Sequence, residues 1–468
     1  MVTVSIERFT GLLRRRKLAP QAQMPQVLLI LGFAGIILIG ALLLLLPWCQ
    51  TEGKVGFVDA LFTSTSAVCV TGLIVVDTPT AYTVPGQIVI LGLIQIGGLG
   101  IMAFAALAFI ILGRRLSLAS QAALHDSFFQ RDLGIEFKKR FFQIIVTTAV
   151  IEGLGILVLF EALLKRASHP WEALYSSIFH AISAFCNAGF SIYTDNLVGL
   201  RDSPMTMVVI MVLIVLGGMG HSVIREIWDR LTDRLVGRNY SGRMRPLSVH
   251  SRVVLRLTGI LIVAGFVGIL FMGQTPSEDT WGMKLSCALF QSVTSRTAGF
   301  NTVDIGALPL SSLMLITILM FIGGSPGSCA GGVKTTAAAI SLAEVRAGIL
   351  GEEDVRLFDR RIPKETLWRT TSLIKLAILW NLIGVFFLSL TETGHRGIGL
   401  HDIVFEQISA FGTVGLSTGL TFKLSTAGKL WIIATMFIGR LGPLTLAIWM
   451  FPVKHVHIRY PETRIMIG

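Results

Sequence analysis

Charge is what this sequence has least of. Only 15% of its 468 residues are Asp, Glu, Lys or Arg, against 53% hydrophobic residues and a mean hydropathy of +0.71, far from the quarter-charged balance of soluble domains. That scarcity argues against a water-soluble fold. Acid is the scarcer sign, 28 Asp and Glu against 40 Lys and Arg, for a net charge of +12. The excess base does not point to nucleic acid, because it sits in short hydrophilic segments and never interleaves with an aromatic platform. Cysteine is sparse: Cys49, Cys69, Cys186, Cys287 and Cys329 form no CxxC pair and leave one over, so they read as small packing residues rather than a disulfide framework or metal site. The nine histidines show no HExxH spacing. With no cluster of nucleophile, base and orienting group, an enzyme and a bound organic cofactor are not expected.

What is abundant is apolar sequence. Runs of about 20 residues, enough to cross a bilayer core, recur along the chain, for example Met24 to Trp48 and Val253 to Met272. The expectation is an all-α integral membrane protein with eight spanning helices. The first run is too long for a secretory h-region and no small-residue cleavage site follows it, so it reads as a retained helix. Basic clusters (Arg14 to Lys17, Arg114 to Arg140, Arg225 to Arg256, Arg346 to Arg369, Lys454 to Arg464) alternate with connections poorer in Lys and Arg. By the positive-inside rule both termini are expected in the cytoplasm, with the chain multi-pass in the cell membrane.

Four copies of one pattern run through the chain: Val70-Thr71-Gly72-Leu73, Asn187-Ala188-Gly189-Phe190, Thr297-Ala298-Gly299-Phe300 and Thr413-Val414-Gly415-Leu416. Their glycines recur at intervals of slightly over a hundred residues, the mark of an internal repeat. Before each stands a helical stretch too short to span a bilayer (Phe57 to Ala67, Trp171 to Phe185, Trp281 to Thr294, Asp402 to Phe411). After each comes a polar turn, then a long apolar helix carrying a second glycine cluster: Gly97 to Gly100, Gly217 to Gly220, Gly323 to Gly327 and Gly439 to Gly442. In the first two copies close helix packing accounts for these clusters. The expected division is a cytoplasmic segment 1–23, pore repeats 24–113, 139–231, 252–346 and 367–452, connections 114–138, 232–251 and 347–366, and a tail 453–468.

Irregular backbone at membrane depth survives only where it is buried in protein or lines a water-filled cavity, so four such segments imply one shared pore. Glycine supplies the φ > 0 conformations that let successive carbonyls face one way. Val70, Thr71, Gly72, Asn187, Ala188, Gly189, Thr297, Ala298, Gly299, Thr413, Val414 and Gly415 are therefore the candidate selectivity filter, and the short helices present the negative ends of their dipoles to a cation. No Asp or Glu lies within the four motifs, which favours a neutral carbonyl filter for a monovalent ion. The third cluster departs from packing alone. Gly323, Gly324, Ser325, Pro326, Gly327, Ser328, Cys329, Ala330, Gly331 and Gly332 interrupt a helix with small residues and a proline, and are the candidate gate. A nucleotide-binding loop is excluded there, since Gly and Lys are not adjacent and no strand precedes.

Ser295 to Thr302, Phe411 to Ser417, Gly323 to Thr336 (GGSPGSCAGGVKTT) and the terminal Tyr460-Pro461-Glu462 with Ile465 to Gly468 resemble the Trk/Ktr/HKT superfamily of K⁺ transporters, most closely its Ktr-type membrane subunits, over essentially the whole chain. A first repeat near Met24, without a leading helix pair, fits the Ktr branch. The resemblance implies K⁺ as the transported ion, a homodimer with one pore per protomer in membrane lipid, a cytoplasmic RCK-type nucleotide-binding ring encoded elsewhere, and Na⁺ activation. In the plant branch a serine in the first filter goes with Na⁺ preference. Gly72, Gly189, Gly299 and Gly415 all stand here, so K⁺ preference is implied.

Four charged residues lie in apolar surroundings. Arg440, midway between Trp431 and Met450, is read as part of the gate or an interfacial cation. Lys334 belongs to the gate or neutralises a helix end. Glu152 is read as pairing with a buried polar group, and Arg296 as bracing the filter backbone. The functional expectation is K⁺ uptake through a gated pore; the alternatives are Na⁺- or H⁺-coupled symport, a Na⁺-permeable transporter, and a non-conducting scaffold.

Overall fold

The computed structural model describes residues 24–51, 55–99, 135–235, 246–273, 280–392 and 398–443. The expected segments 1–23 and 453–468, and most of 114–138, lie outside them. The chain is helical. In chain order the helices are α1 Met24–Leu44, α2 Phe57–Val68, α3 Val84–Gly98, α4 Ile135–Leu164, α5 Pro170–Phe185, α6 Pro204–Met219, α7 His221–Leu235, α8 Val249–Met272, α9 Trp281–Thr294, α10 Leu310–Phe321, α11 Thr335–Leu350, α12 Lys364–Glu392, α13 Leu400–Gly412 and α14 Thr426–Leu441. Among the described residues the one sheet is a two-stranded hairpin, β1 Arg356–Leu357 with β2 Arg360–Arg361.

Each repeat opens with a long helix (α1, α4, α8, α12) whose outer face is apolar. Leu38, Ile39 and Leu42 on α1, Leu154 and Leu157 on α4, Ile260 and Val263 on α8, and Leu382 and Phe386 on α12 are exposed, as they must be where the solvent is hydrocarbon. Three segments, Phe142–Leu164, Val249–Met272 and Lys364–Glu392, are long and apolar enough to cross a membrane by themselves, and the α6–α7 pair makes a fourth if its two halves are one span.

The short helices α2, α5, α9 and α13 are the buried elements. Phe62, Phe179, Phe290 and Phe405 are fully enclosed on them. Proline starts α5, a Thr280 hydroxyl caps α9, and Asp402 accepts from the backbone of Gly399 at 2.9 Å to start α13. These caps fix the points where the chain turns back into the protein.

The repeats close into a ring. Within each unit the first helix packs on the short one, and between units α3 packs on α5, α6 on α9, α10 on α13, and α14 back on α2. The contact is glycine-made. A side chain on Gly97, Gly217 or Gly439 would strike the carbonyl of Val68, Phe185 or Phe411, the C-terminal ends of the short helices, which is the close approach that small residues permit.

Among the described residues the second helices α3, α6, α10 and α14 have 15, 16, 12 and 16 residues, about 18 to 24 Å at 1.5 Å per residue, each stretch ending at its glycine cluster, with the third broken as expected. One expectation changes here. The second cluster does more than pack. Gly220 takes φ +84° and turns the chain by 105° between α6 and α7, a conformation closed to most side chains.

Candidate functional site

The site grows from the ends of the four short helices. Gly72, Gly189, Gly299 and Gly415 have φ of +90°, +69°, +74° and +94°, and each leans on the next. A Cβ placed on Gly72 would strike the carbonyl of Ala188, on Gly189 that of Ala298, on Gly299 that of Val414, and on Gly415 that of Thr71. Such an atom would also lie 3.0–3.2 Å from the backbone of the next glycine in every case. The four loops thus meet in a closed cycle, with the carbonyl of the residue before each glycine at every junction. All the other motif residues are buried.

Three loops share one wiring. Thr71 N donates to Ser66 O, Ala188 N to Ser183 O and Val414 N to Ser409 O, at 2.7–2.9 Å. Val70, Asn187 and Thr413 sit in the left-handed region at φ +56°, +59° and +48°, which costs β-branched residues about 1–3 kcal/mol each. Asparagine tolerates it. The serines also cap: Gly72 N donates to Ser66 Oγ at 3.0 Å and Gly415 N to Ser409 Oγ at 3.1 Å, while Ser183 Oγ donates to Phe190 O at 2.8 Å. Sequence reasoning missed these serines. Their signal was present, because Ser-Ala precedes the glycine by the same number of residues in repeats one, two and four.

The third loop is built differently because it is one residue shorter: Phe290 stands nine residues before Gly299, whereas Phe62, Phe179 and Phe405 stand ten before their glycines, and Thr294 takes the place of the serine. Ala298 N and Gly299 N both reach back to Thr294 O. Its link to the second loop is Thr297, whose hydroxyl lies 2.8 Å from the Asn187 amide. Thr297 is the donor when that amide is turned so that its nitrogen reaches the carbonyls of Ile214 and Ala184.

Electrostatically the ring is set for cations. The C-termini of α2, α5, α9 and α13 converge on it, each the negative end of a macrodipole of about half an elementary charge. Buried polar groups brace the outer loops. Glu406 accepts from Ser417 Oγ and from Thr421 N and Oγ1 at 3.3 and 2.8 Å. His180 Nε2 pairs with Ser191 Oγ at 3.0 Å, and Asn196 donates to Gly189 O at 3.2 Å. His180 and Glu406 occupy the same register before their glycines, a signal that was legible and unread.

Between α10 and α11 the chain leaves the helix from Ile322 to Lys334 and threads through the ring's interior contacts. Ser325 N donates to Gly218 O at 3.0 Å and Cys329 N to Gly217 O at 3.4 Å, taking up carbonyls of the second repeat. Cys329 Sγ reaches Gly98 O of the first repeat at 3.1 Å, and Gly331 N donates to Thr413 Oγ1 of the fourth at 3.0 Å. Ser328 Oγ donates back to Ser325 O at 2.6 Å and Gly323 N to Val333 O at 2.9 Å. One loop is therefore bonded to every other repeat.

Arg440 completes this set. Buried at 5% exposure, its guanidinium donates to the carbonyls of Cys329 and Gly97, so the loop, α3 and α14 share one cation. It was expected midway along an apolar helix and stands instead in the last turn of α14, next to Gly442 at φ +88°. Lys334 Nζ donates to Ala330 O within the loop. Since Lys334 caps the N-terminus of α11, the positive end of a dipole, it does not neutralise that helix. Arg296 was expected to brace the filter. Its Nη2 donates instead to Gly323 O at 3.1 Å, anchoring the start of the loop. Glu152 accepts from Gln95 at 3.3 Å and lies 3.9 Å from Cys186 Sγ, a buried polar pairing rather than part of the ring. Among the described residues no group of three or more His, Cys, Asp and Glu is arranged to hold a metal.

Comparison with known proteins agrees with this geometry. Residues 1–455 match the TrkH family model, described as cation transport protein. The chain is 39% identical to the Ktr system potassium uptake protein B of Bacillus subtilis, over 95% of this chain and 96% of that one. It is 36% identical to the potassium/sodium uptake protein NtpJ of Enterococcus hirae, over 95% and 97%. The crystal structure of the potassium transporter TrkH from Vibrio parahaemolyticus shares the fold, with a TM-score of 0.68 at 18% identity over 94% of this chain and 87% of that one. A ring of four positive-φ glycine loops in a multi-pass helical chain, matched from residue 1 to residue 455, identifies the protein as a member of the TrkH family of cation transport proteins.

Proposed function

We propose that this chain is the ion-translocating subunit of a Ktr/Trk-like K⁺ uptake system, with the four glycine loops as its selectivity filter. The observation that carries this reading is the closed cycle of Gly72, Gly189, Gly299 and Gly415, each at positive φ and each seated on the carbonyl before the next. Carbonyls gathered at one ring replace the hydration shell of a cation, and four helix C-termini favour its charge. The filter comprises Val70, Thr71, Gly72, Asn187, Ala188, Gly189, Thr297, Ala298, Gly299, Thr413, Val414 and Gly415. Purified protein in vesicles should support K⁺ flux whose reversal potential follows the K⁺ gradient alone. Absence of flux would return the chain to a scaffold role, and dependence on a second ion's gradient would make it a symporter.

The gate in this reading is the segment Gly323 to Gly332 with Lys334 and Arg440. Backbone outside a helix is tolerated at membrane depth where it lines a cavity, and the loop's bonds to three other repeats are those that must exchange when it moves. Eight spans, cytoplasmic termini, a homodimer in lipid, Na⁺ activation and a cytoplasmic nucleotide-binding ring belong to the same proposal, supported by the charge alternation of the connections and by the likeness to Ktr subunits.

A second reading, Na⁺ permeation, is favoured by one observation: the Enterococcus hirae relative is a potassium/sodium uptake protein. The relative K⁺ and Na⁺ permeabilities in the same vesicles separate the two.

A further inference from the structure

The hairpin β1–β2 is an outlier away from the ring. Its two-residue turn is Phe358-Asp359, with φ of +47° and +61°, the geometry of a type I′ turn that ordinarily selects Asn-Gly or Asp-Gly. A bulky aromatic held at positive φ is strained, so something must be gained from the ring's position. Phe358 lies half-buried against two guanidiniums of α8: Arg252 is 5.1 Å and Arg256 4.5 Å from its centroid. The two arginines stand one helical turn apart on a shared face, and among the described residues neither forms an ion pair with a carboxylate. Arg252 Nε is buried without a hydrogen-bond partner. Two like charges are thus held side by side on one neutral ring, an arrangement that lacks its anion.

The surroundings say what kind of anion. A planar guanidinium fork matches the oxygens of a phosphate. One turn beyond Arg256, α8 exposes Ile260 (61%) and then Val263, and α11, which packs on α8 and on the hairpin, exposes Leu342, Val345 and Ile349 (79%). An apolar track therefore runs directly from the two arginines along the lipid-facing surface.

We propose that Arg252 and Arg256, positioned by Phe358, bind the phosphate headgroup of an anionic membrane phospholipid whose acyl chains follow the α8–α11 surface. This rests on the membrane placement of α8 and is independent of which ion the pore carries. The test is lipid retention: the full chain is reconstituted in nanodiscs containing phosphatidylglycerol and phosphatidylcholine, re-extracted in detergent, and its bound lipid is quantified. The wild type retains phosphatidylglycerol selectively. Arg252→Gln with Arg256→Gln lowers that retention about tenfold or more, since each basic group near an anionic surface contributes about fivefold. Phe358→Ala lowers it in part, Phe358→Tyr preserves it, and K⁺ flux in vesicles of phosphatidylcholine alone is the same in all of them. Equal retention in the double arginine variant and in Phe358→Ala would overturn the site. So would a wild type that binds inorganic phosphate but holds no more phosphatidylglycerol than phosphatidylcholine, which would assign the anion to solution. If the double variant does not fold, Arg256→Lys supplies the test: it keeps the charge, loses the fork, and retains less lipid than the wild type.

Discussion

The guanidinium of Arg440 donates to the main-chain carbonyl of Cys329, 111 positions earlier in the chain and in a different repeat. A charged, directional bond of this kind ties a non-helical loop to the end of a membrane helix, and the same guanidinium holds Gly97 O of the first repeat. Arg440 is both a buried positive charge and a bond that ties the loop to α14. Two unit charges at ~8 Å and an effective dielectric of ~20 repel by about 2 kcal/mol. Arg440→Ala is therefore expected to raise K⁺ flux by about tenfold or more in vesicles, with Arg440→Lys between it and the wild type. Reduced flux at normal expression would assign Arg440 to scaffolding.

The loop itself offers the second test. Deleting Ser325 to Ala330 removes the bonds to Gly217 O, Gly218 O and Gly98 O together. Flux is expected to rise and control by a cytoplasmic partner to weaken, with K⁺/Na⁺ preference retained because the four glycine loops are untouched. Wild-type flux and regulation in the folded deletion would show that the segment does not gate.

Ser66 and Ser409 test the wiring beneath the ring. Each hydroxyl accepts from the N–H of a glycine in the cycle, and leaving a buried donor unpaired costs about 1–3 kcal/mol. Ser66→Ala and Ser409→Ala are expected to lower the unfolding temperature and to reduce K⁺/Na⁺ preference. Ser389→Ala, on α12 outside the four loops and bonded back to Val385 O of its own helix at 2.7 Å, is the control for the selectivity measurement. Unchanged selectivity in both ring variants would detach the serines from the filter's geometry.

Much of the site was legible because glycine at a fixed interval is a backbone requirement written in one letter. The positions of Gly72, Gly189, Gly299 and Gly415 could be read from spacing, and so could the short helices before them, since those are too short to span. The breaks in the second helices were less legible. Gly217 and Gly220 look alike in sequence, but one seats a helix on the carbonyl of Phe185 and the other turns the chain by 105°. Long-range partners left no trace at all. That Arg296 anchors Gly323 rather than the filter is set by a partner 27 positions along the chain, and that Phe358 faces two arginines depends on a turn its sequence does not favour.

Helix-packing glycines give a fourth test with a built-in control. In a helix, Gly→Ala ordinarily gains up to about 1 kcal/mol. A methyl on Gly97, Gly217 or Gly439 would instead meet the carbonyl ending a short helix, whereas one on Gly259 meets nothing within 4 Å. Gly217→Ala and Gly439→Ala are expected to lose about 1–3 kcal/mol of stability, read as a lower unfolding temperature in detergent, and Gly259→Ala to lose none. Equal behaviour of the three would mean that these contacts do not set the position of the ring.

The most direct measurement of the account is the K⁺/Na⁺ permeability ratio of Gly72→Ser in vesicles. At φ +90° a side chain is strained, and its Cβ would press on the carbonyl of Ala188 at the junction between the first and second loops. The ratio is expected to fall toward that of a pore passing both ions, with total flux preserved. An unchanged ratio in a well-folded Gly72→Ser protein would contradict the assignment of the four glycine loops as the filter.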